Sequence, residues 1–374
     1  MLTNGWTAVA GEDTLYSLES GSARLLLCFH VDDILVASNH QEALDDFKRQ
    51  LLQRFDAKDL GPVSTFLGIK VVCDYSLGTI SLSQTQLIED LLARHGLSDC
   101  NPTKTPLSPG CKLLASDSPE IPDPVLGRQY RDICGSLSYL ALWTRPDLAF
   151  TAQALACHMS NPGPVHMAHA WHALRYLRGT ANLSLTYSRQ QPSLANLLLG
   201  FADSDWASDP DTRRSVGAYV FILNGAAVAW SAKRQLSVAV STSEAEYMSA
   251  SRAANEAVWL LRLLAGLGVE QKLPTPIWED NRGCRMMSEN PVNRERLKHI
   301  DIHVHNVRQR VAEKLVRLFD CPTGDMTADA LTKALPSPAH QQHSAVMLGF
   351  GHITAQSLEL FARALPALVE ASLM

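Results

Sequence analysis

Leu197-Leu198-Leu199-Gly200-Phe201-Ala202-Asp203-Ser204-Asp205-Trp206 decides how the second half of the chain is read. Its first five residues are apolar or glycine, the composition of a strand buried on both faces, and the run breaks at Asp203. Downstream, residues 218–223 and 227–231 read as two strands joined across Asn224-Gly225, a pair that supplies the positive φ angles of a tight hairpin. Tyr247, Ala250, Ala254, Val258, Leu261 and Leu264 recur at helical spacing until Gly266 and Gly268 end the helix. Pro276-Ile277-Trp278 reads as a fourth strand, the stripe Ile300, Val304, Val307, Val311 as a helix, and residues 315–319 as a fifth strand. The expectation is an α+β or α/β domain on a mixed five-stranded sheet whose first three strands are antiparallel.

Upstream, His30-Val31-Asp32-Asp33-Ile34 lies between the apolar runs Leu25-Leu26-Leu27-Cys28-Phe29 and Leu35-Val36-Ala37, which predicts a buried hairpin carrying two adjacent carboxylates. Such a pair costs several kcal/mol unless it is neutralised, so the expectation is a divalent cation and phosphoryl chemistry. Leu44, Phe47, Leu51 and Phe55 predict a helix behind the hairpin, and Thr79-Ile80-Ser81-Leu82 alternates as a strand. Ser83 with Gln86 has the spacing of a capping box for a helix through Leu87, Leu91 and Leu92. Six prolines from Pro102 to Pro124 mark a linker, and helices follow near 130–142 and 164–178.

The 374 residues suffice for two or three domains with proper cores. Eight cysteines without a Cys-x-x-Cys pair argue for reduced thiols in an intracellular setting and against a zinc knuckle. The start has no basic or long apolar region and no window reaches eighteen apolar residues, so neither secretion nor a membrane span is expected. The net charge of -5 counts mildly against nucleic-acid binding, but residues 282–317 carry nine Lys/Arg against four acids. A solvated helical face explains that stretch equally well.

The ordered motifs carry a more specific reading. His30-Val31-Asp32-Asp33 followed by Leu35-Val36-Ala37 resembles the Tyr-x-Asp-Asp turn of reverse transcriptases, and Lys58-Asp59-Leu60-Gly61-Pro62 with Phe66-Leu67-Gly68-Ile69 resembles the end of a polymerase palm. Gly135-Ser136-Leu137, Thr144-Arg145-Pro146-Asp147 and Arg175-Tyr176-Leu177-Arg178-Gly179-Thr180 resemble the connection between polymerase and nuclease. Ala202-Asp203-Ser204-Asp205-Trp206, Ser243-Glu244-Ala245-Glu246-Tyr247, Asp280-Asn281, Lys298-His299-Ile300-Asp301 and Ala328-Asp329-Ala330-Leu331-Thr332-Lys333 resemble its ribonuclease H domain. Together they are similar to the C-terminal part of copia-type (Pseudoviridae-like) LTR retrotransposon polyproteins.

That resemblance implies an incomplete reverse-transcriptase palm and thumb at 1–100 and a Pro-rich linker with a helical connection at 101–190. A ribonuclease H-like domain follows at 195–337; the tail at 338–374 has no counterpart in the family, and its Leu358, Leu360, Phe361, Leu365 and Leu368 read as an amphipathic helix. It implies two-metal hydrolysis of the RNA strand of RNA-DNA hybrids, with the rest of the polyprotein as a partner. It also implies a cytoplasmic (virus-like particle) or nuclear location. Two-metal hydrolysis needs carboxylates converging from separate elements. Asp203 at the first strand's end, Glu246 in the first turns of the helix, Asp280 after the fourth strand and Asp329 at the start of the last helix match the family's catalytic positions. All four are hard oxygen donors, which favours Mg2+, with Mn2+ as the alternative.

Taken singly, Glu246 also fits a capping box with Ser243, and Asp329 follows the helix-starting Thr327; Asp205 and Glu244 are close decoys. Arg213, Arg214, Lys298 and His299 are candidates for phosphate contacts. His166, His169, His172, His299 and His303 lack zinc-like company and read as structural or surface residues.

The family pattern also breaks. No third polymerase aspartate or fingers segment precedes Asp32, so the expectation is a truncated polymerase, inactive on its own. His30 replaces a tyrosine, Leu297 a threonine, Glu279 adds a charge beside Asp280, and Pro322-Thr323-Gly324-Asp325-Met326 holds no histidine. The alternative is a catalytically inactive relic or nucleic-acid-binding module.

Overall fold

The computed structural model describes residues 5–9, 11–189, 196–289 and 301–353. It separates into two compact units, the first Met1–Phe66 with Val258–Lys272, the second Leu67–Ala257 with Leu273–Met374.

In the first unit, β1 (Thr7–Ala8), β2 (Leu15–Ser20), β3 (Ala23–His30) and β4 (Asp33–Ser38) form an antiparallel meander in that order, followed by helix α1 (Gln41–Arg54) and the short strand β5 (Thr65–Phe66). Its core is small. Trp6, Leu25 and Leu27 are buried, Tyr16, Phe29, Val36 and Phe47 pack on them in part, and Trp6 meets Phe47 edge-on at 5.1 Å. No residue of α1 is fully buried.

Asp32 and Asp33 are not buried, contrary to the expectation from their apolar flanks. β3 pairs with β4 as far as His30 opposite Asp33, so the two carboxylates sit at the hairpin tip and are exposed. Apolar flanks dictate a buried pair of strands, not a buried turn, and water solvates both charges. The strain is taken by Val31, a β-branched residue at φ 53° that is 87% exposed.

The second unit begins with β6 (Ile69–Asp74) and β7 (Thr79–Ser83), then helices α2 (Thr85–Arg94), α3 (Pro124–Trp143), α4 (Ala149–Ala156) and α5 (Pro164–Thr180); β8 (Leu185–Ser188) returns to pair antiparallel with β7. The expected Ser83–Gln86 capping box is absent. Ser83 is the last residue of β7, Gln84 is the N-cap without a side-chain cap bond, and its amide oxygen accepts instead from Thr144 Oγ1 at 2.7 Å. α3 starts two turns before the sequence pattern, where Asp123 accepts the Val125 and Leu126 amides and Pro124 fills the first turn. Ile88, Leu91, Tyr130, Ile133, Leu137, Leu140, Leu155, Ala173 and Leu177 form one core across α2 to α5.

Between α3 and α4 this core encloses an ion pair. Arg145 gives Asp147 two bonds, at 2.9 and 2.7 Å, and bonds the Thr180 carbonyl and hydroxyl at 3.0 and 2.9 Å. Tyr176 Oη donates to Asp147 at 2.8 Å and lies 3.1 Å from His340 Nε2. Arg145 and Asp147 are each 1% exposed.

β9 (Leu199–Asp205), β10 (Val216–Leu223) and β11 (Ala226–Arg234) are antiparallel neighbours, joined to the long helix α6 (Thr242–Gly266), which passes from the second unit into the first. β12 (Thr275–Glu279), α7 (Arg282–Glu289), α8 (Asp301–Ala312), β13 (Val316–Asp320) and α9 (Ser337–Leu348) follow. The sheet order is β11-β10-β9-β12-β13, with β12 parallel to both neighbours, so it is mixed and five-stranded as expected. Asn224 at φ 50° and Gly225 at φ 90° make the hairpin turn.

Phe201 stacks on Trp278 at 4.9 Å between β9 and β12, over a core that also holds Val220, Phe319, Met326, Leu331 and Met347. Truncating Phe201 to alanine would cost roughly 3–5 kcal/mol. On the other face α6 approaches so closely that a Cβ on Gly217 would lie 2.3 Å from Ser249 Oγ.

Candidate metal centre

The register of the parallel strands sets the site. Gly200 lies opposite Ile277 and Phe201 opposite Trp278, and continuing that register brings Asp280 level with Asp203. Both chain directions end at this edge, so two acids on separate strands meet without any long side chain having to reach across the sheet.

The third acid comes from α6, whose start is capped by Ser241 and Glu244, in an arrangement close to a capping box. Ser241 Oγ accepts the Glu244 amide at 3.2 Å, and Glu244 Oε2 accepts the Val240 amide at 2.8 Å. The cap is therefore Ser241 with Glu244, not Ser243 with Glu246, and Glu246 is left to the site. Ligand oxygens of Asp203, Glu246 and Asp280 all lie within 4.8 Å of one another; among the described residues no other such group of three is found. Glu246 Oε2 is buried without a hydrogen-bond partner, an arrangement that a bound divalent ion resolves and that hard oxygen donors suit.

Electrostatics tell the same story. Burial, then the charges of Glu279, Asp203 and Asp280, pushes Glu246 up to about 11. Burial and the Asp329 charge push Asp203 up to about 6, against the pull of Lys333 and the Thr332 hydroxyl, which donates to Asp203 Oδ2 at 2.5 Å. Asp280 is half-buried and also raised, chiefly by burial, although Thr323 Oγ1 donates to it at 3.1 Å. Carboxylates crowded in this way repel one another until a cation is shared.

Asp329 is placed differently from expectation. It lies in a 3-10 segment, Thr327–Leu331, six residues before α9 rather than at a helix start. It is buried beside Asp203, outside the set of three, and Lys333 Nζ pairs with it at 2.8 Å. Asp205 is half-buried at the end of β9, its carboxyl raised by burial.

Glu279, read from the sequence as an added charge, is fully buried next to Glu246. Burial holds its carboxyl well above the usual range, although the Asn281 amide donates to it at 3.1 Å. Arg285 serves the Glu279 carbonyl at 2.7 Å and pairs with Asp320. Thr332, Thr323 and Lys333 escaped the sequence reading as site residues; the one available signal was the four-residue step from Asp329 to Lys333.

The remaining candidates are dispersed. Asp32 and Asp33 belong to the first unit and are exposed. Arg213, exposed at φ 58°, and Arg214 sit in the β9–β10 loop, where Asp209 accepts the Arg213 amide at 2.8 Å. Lys298 and His299 lie outside the described residues. His166 is buried, accepting the Gly163 amide at 2.9 Å and facing the Leu114 carbonyl at 3.0 Å, and His303 faces Ser251 Oγ at 3.0 Å, both structural placements.

Comparison with known proteins agrees with the motifs. Residues 3–109 match the family model "Reverse transcriptase (RNA-dependent DNA polymerase)". The chain is 35% identical over 341 residues to the retrovirus-related Pol polyprotein from transposon RE1 of Arabidopsis thaliana, covering 91% of this chain and 23% of that protein. The corresponding polyprotein from transposon TNT 1-94 of Nicotiana tabacum is 34% identical over 315 residues, 83% of this chain and 23% of that protein. An uncharacterized mitochondrial protein of Arabidopsis thaliana is 37% identical over 236 residues, 63% of this chain and 94% of that one.

The chain belongs to the copia-type retrotransposon Pol polyprotein family, and it spans under a quarter, 23%, of the length of the transposon polyproteins it matches. A solved ribonuclease H1 isolated from compost aligns with 37% of this chain and 93% of its own at 16% identity and a TM-score of 0.29. Among the described residues no helix is long and apolar enough to cross a membrane.

Proposed function

We propose that the second unit carries a ribonuclease H-type endonuclease that hydrolyses the RNA strand of RNA-DNA hybrids with divalent metal, Mg2+ by preference. The observation that supports it best is the meeting of Asp203, Glu246 and Asp280 within 4.8 Å at one sheet edge, with a buried Glu246 oxygen left unpartnered. When bound, the metal pair would supply Lewis acidity and an activated water. The chain's own part is to hold the ligands: Asp203 through Thr332, Asp280 through Thr323, and Glu246 on a helix whose cap is made by other residues. Asp329 completes the proposed set. Arg213 and Arg214 in the β9–β10 loop, with Lys298 and His299, are proposed to hold phosphates, while ribose 2'-hydroxyls identify the RNA strand.

In this reading residues 195–337 are the nuclease, 101–190 the connection and 1–100 part of a reverse-transcriptase palm and thumb, within a polyprotein that works inside the cell. The test is cleavage of a labelled RNA-DNA hybrid by the full chain with Mg2+, compared with Asp203→Asn. Cleavage lost in the variant supports the proposal; equal behaviour of the two proteins refutes it. The salt bridge that ties Asp329 to Lys333 favours one alternative, a silent hybrid-binding module, and retained hybrid binding without any cleavage would select it.

A further inference from the structure

Lys333 follows the 3-10 segment that carries Asp329, and its Nζ lies 2.8 Å from Asp329 Oδ1. Its charge is felt by Asp203, Asp205, Asp329, Glu246 and Asp280, that is, by acids from β9, α6, the end of β12 and its own segment. Arg285, whose charge also acts on Asp280, is engaged with Asp320. Lys333 also lines a small recess with Thr105, Leu107, Phe150, Ala334 and His340.

We infer that Lys333 is the resident counter-cation of the acidic centre: it occupies Asp329 in the metal-free protein and yields that carboxylate when the centre is loaded. The inference rests on the metal-centre reading above and adds a positioning residue to it. An ammonium and a divalent ion serve the same electrostatic need, so each weakens the hold of the other. Removing the lysine should leave the empty centre less stable and make it bind metal more tightly. Arginine keeps the charge and should behave much like the native residue.

The experiment is thermal unfolding of the full chain, wild type, Lys333→Met and Lys333→Arg, in EDTA and across a MgCl2 titration. Lys333→Met is expected to melt below wild type in EDTA, to close at least half of that gap at saturating Mg2+, and to reach half-saturation at roughly tenfold lower Mg2+. A Lys333→Met deficit that is the same in EDTA and in Mg2+ overturns the inference, because packing alone would do that. If Mg2+ leaves the wild-type melting temperature unmoved, the metal-centre reading itself fails. A metal response shared equally by wild type and Lys333→Met sinks only the role of the lysine. Should Lys333→Met not fold in EDTA, the double variant Lys333→Met/Asp329→Asn decides: recovery of folding supports charge compensation, and failure to recover refutes it.

Discussion

At Arg145 the second unit buries a guanidinium against a carboxylate, a phenol and the oxygens of one threonine; at Glu246 it buries a carboxylate among other carboxylates, with one lysine close by. Both places take charge out of water, which is costly in either case. In the first the partners are complete, and Arg145 holds Asp147 below its ordinary range in spite of burial. In the second they are not, and Asp203, Glu246, Glu279 and Asp280 are all raised. The complete network reads as architecture; the incomplete one stores a demand for a cation.

The largest effect should come from breaking the balanced site. Asp147→Ala leaves Arg145 buried without its partner and should lower stability by about 3–5 kcal/mol in chemical denaturation, with or without Mg2+. The unbalanced site should respond in the opposite sense. In EDTA near neutral pH, Asp203→Asn should raise stability by roughly 1–3 kcal/mol, since it removes a charge held about two pH units above its usual titration, and it should abolish the Mg2+-induced rise in melting temperature. A loss of stability in EDTA would show that Asp203 is held by its Thr332 bond more than it is repelled by its neighbours.

The same contrast fixes the pH dependence. Asp203, raised to about 6, contributes stability that is present below its unfolded value of 3.8 and is lost as pH climbs through about 6. Asp147 is depressed, so its contribution is present above 3.8 and is lost as pH falls through its lower folded value. Urea unfolding in EDTA from acid to neutral pH should therefore show wild type weakening on the approach to neutrality, with Asp203→Asn flatter over that interval. The smallest effect belongs to the helix start. Glu244→Ala removes one half of this cap and should cost about 1 kcal/mol while leaving the Mg2+ response intact.

What the sequence disclosed follows from which forces act locally. The β10–β11 hairpin was legible because Asn224-Gly225 makes its own turn, and α6 because its apolar stripe repeats along a whole helix. α4 was not, since Ala149–Ala156 is small and apolar nearly all round and offers no stripe. Ser241–Glu244 and Ser243–Glu246 have identical spacing, so only hydrogen bonds could say which pair caps and which acid remains for the site. Asp203, Glu246 and Asp280 were named from motifs and are brought together, whereas Asp329 lies beside Asp203 but outside that set and pairs with Lys333, at a four-residue step that by itself does not single out the pair in the sequence. Asp32 and Asp33 misled because neighbouring strands bury their own side chains without burying the residues that turn between them. Glu279 carried no sequence signal of its burial beyond its place at the end of an apolar strand.

The pairing of β7 with β8 has a kinetic meaning. Thr79 faces Ser188 across two strands separated in the chain by the entire α2–α5 bundle, so this ladder cannot form until that whole stretch of chain is in place. The first unit waits longer still, because Val258–Lys272 reaches it from the far end of α6. On a ribosome, Gly5 through Phe66 would emerge as an unfinished layer, and the helical bundle would be the earliest part able to condense by itself. A nascent chain stalled before Val258 should accordingly present its amino-terminal strands to chaperones while its middle already resists protease.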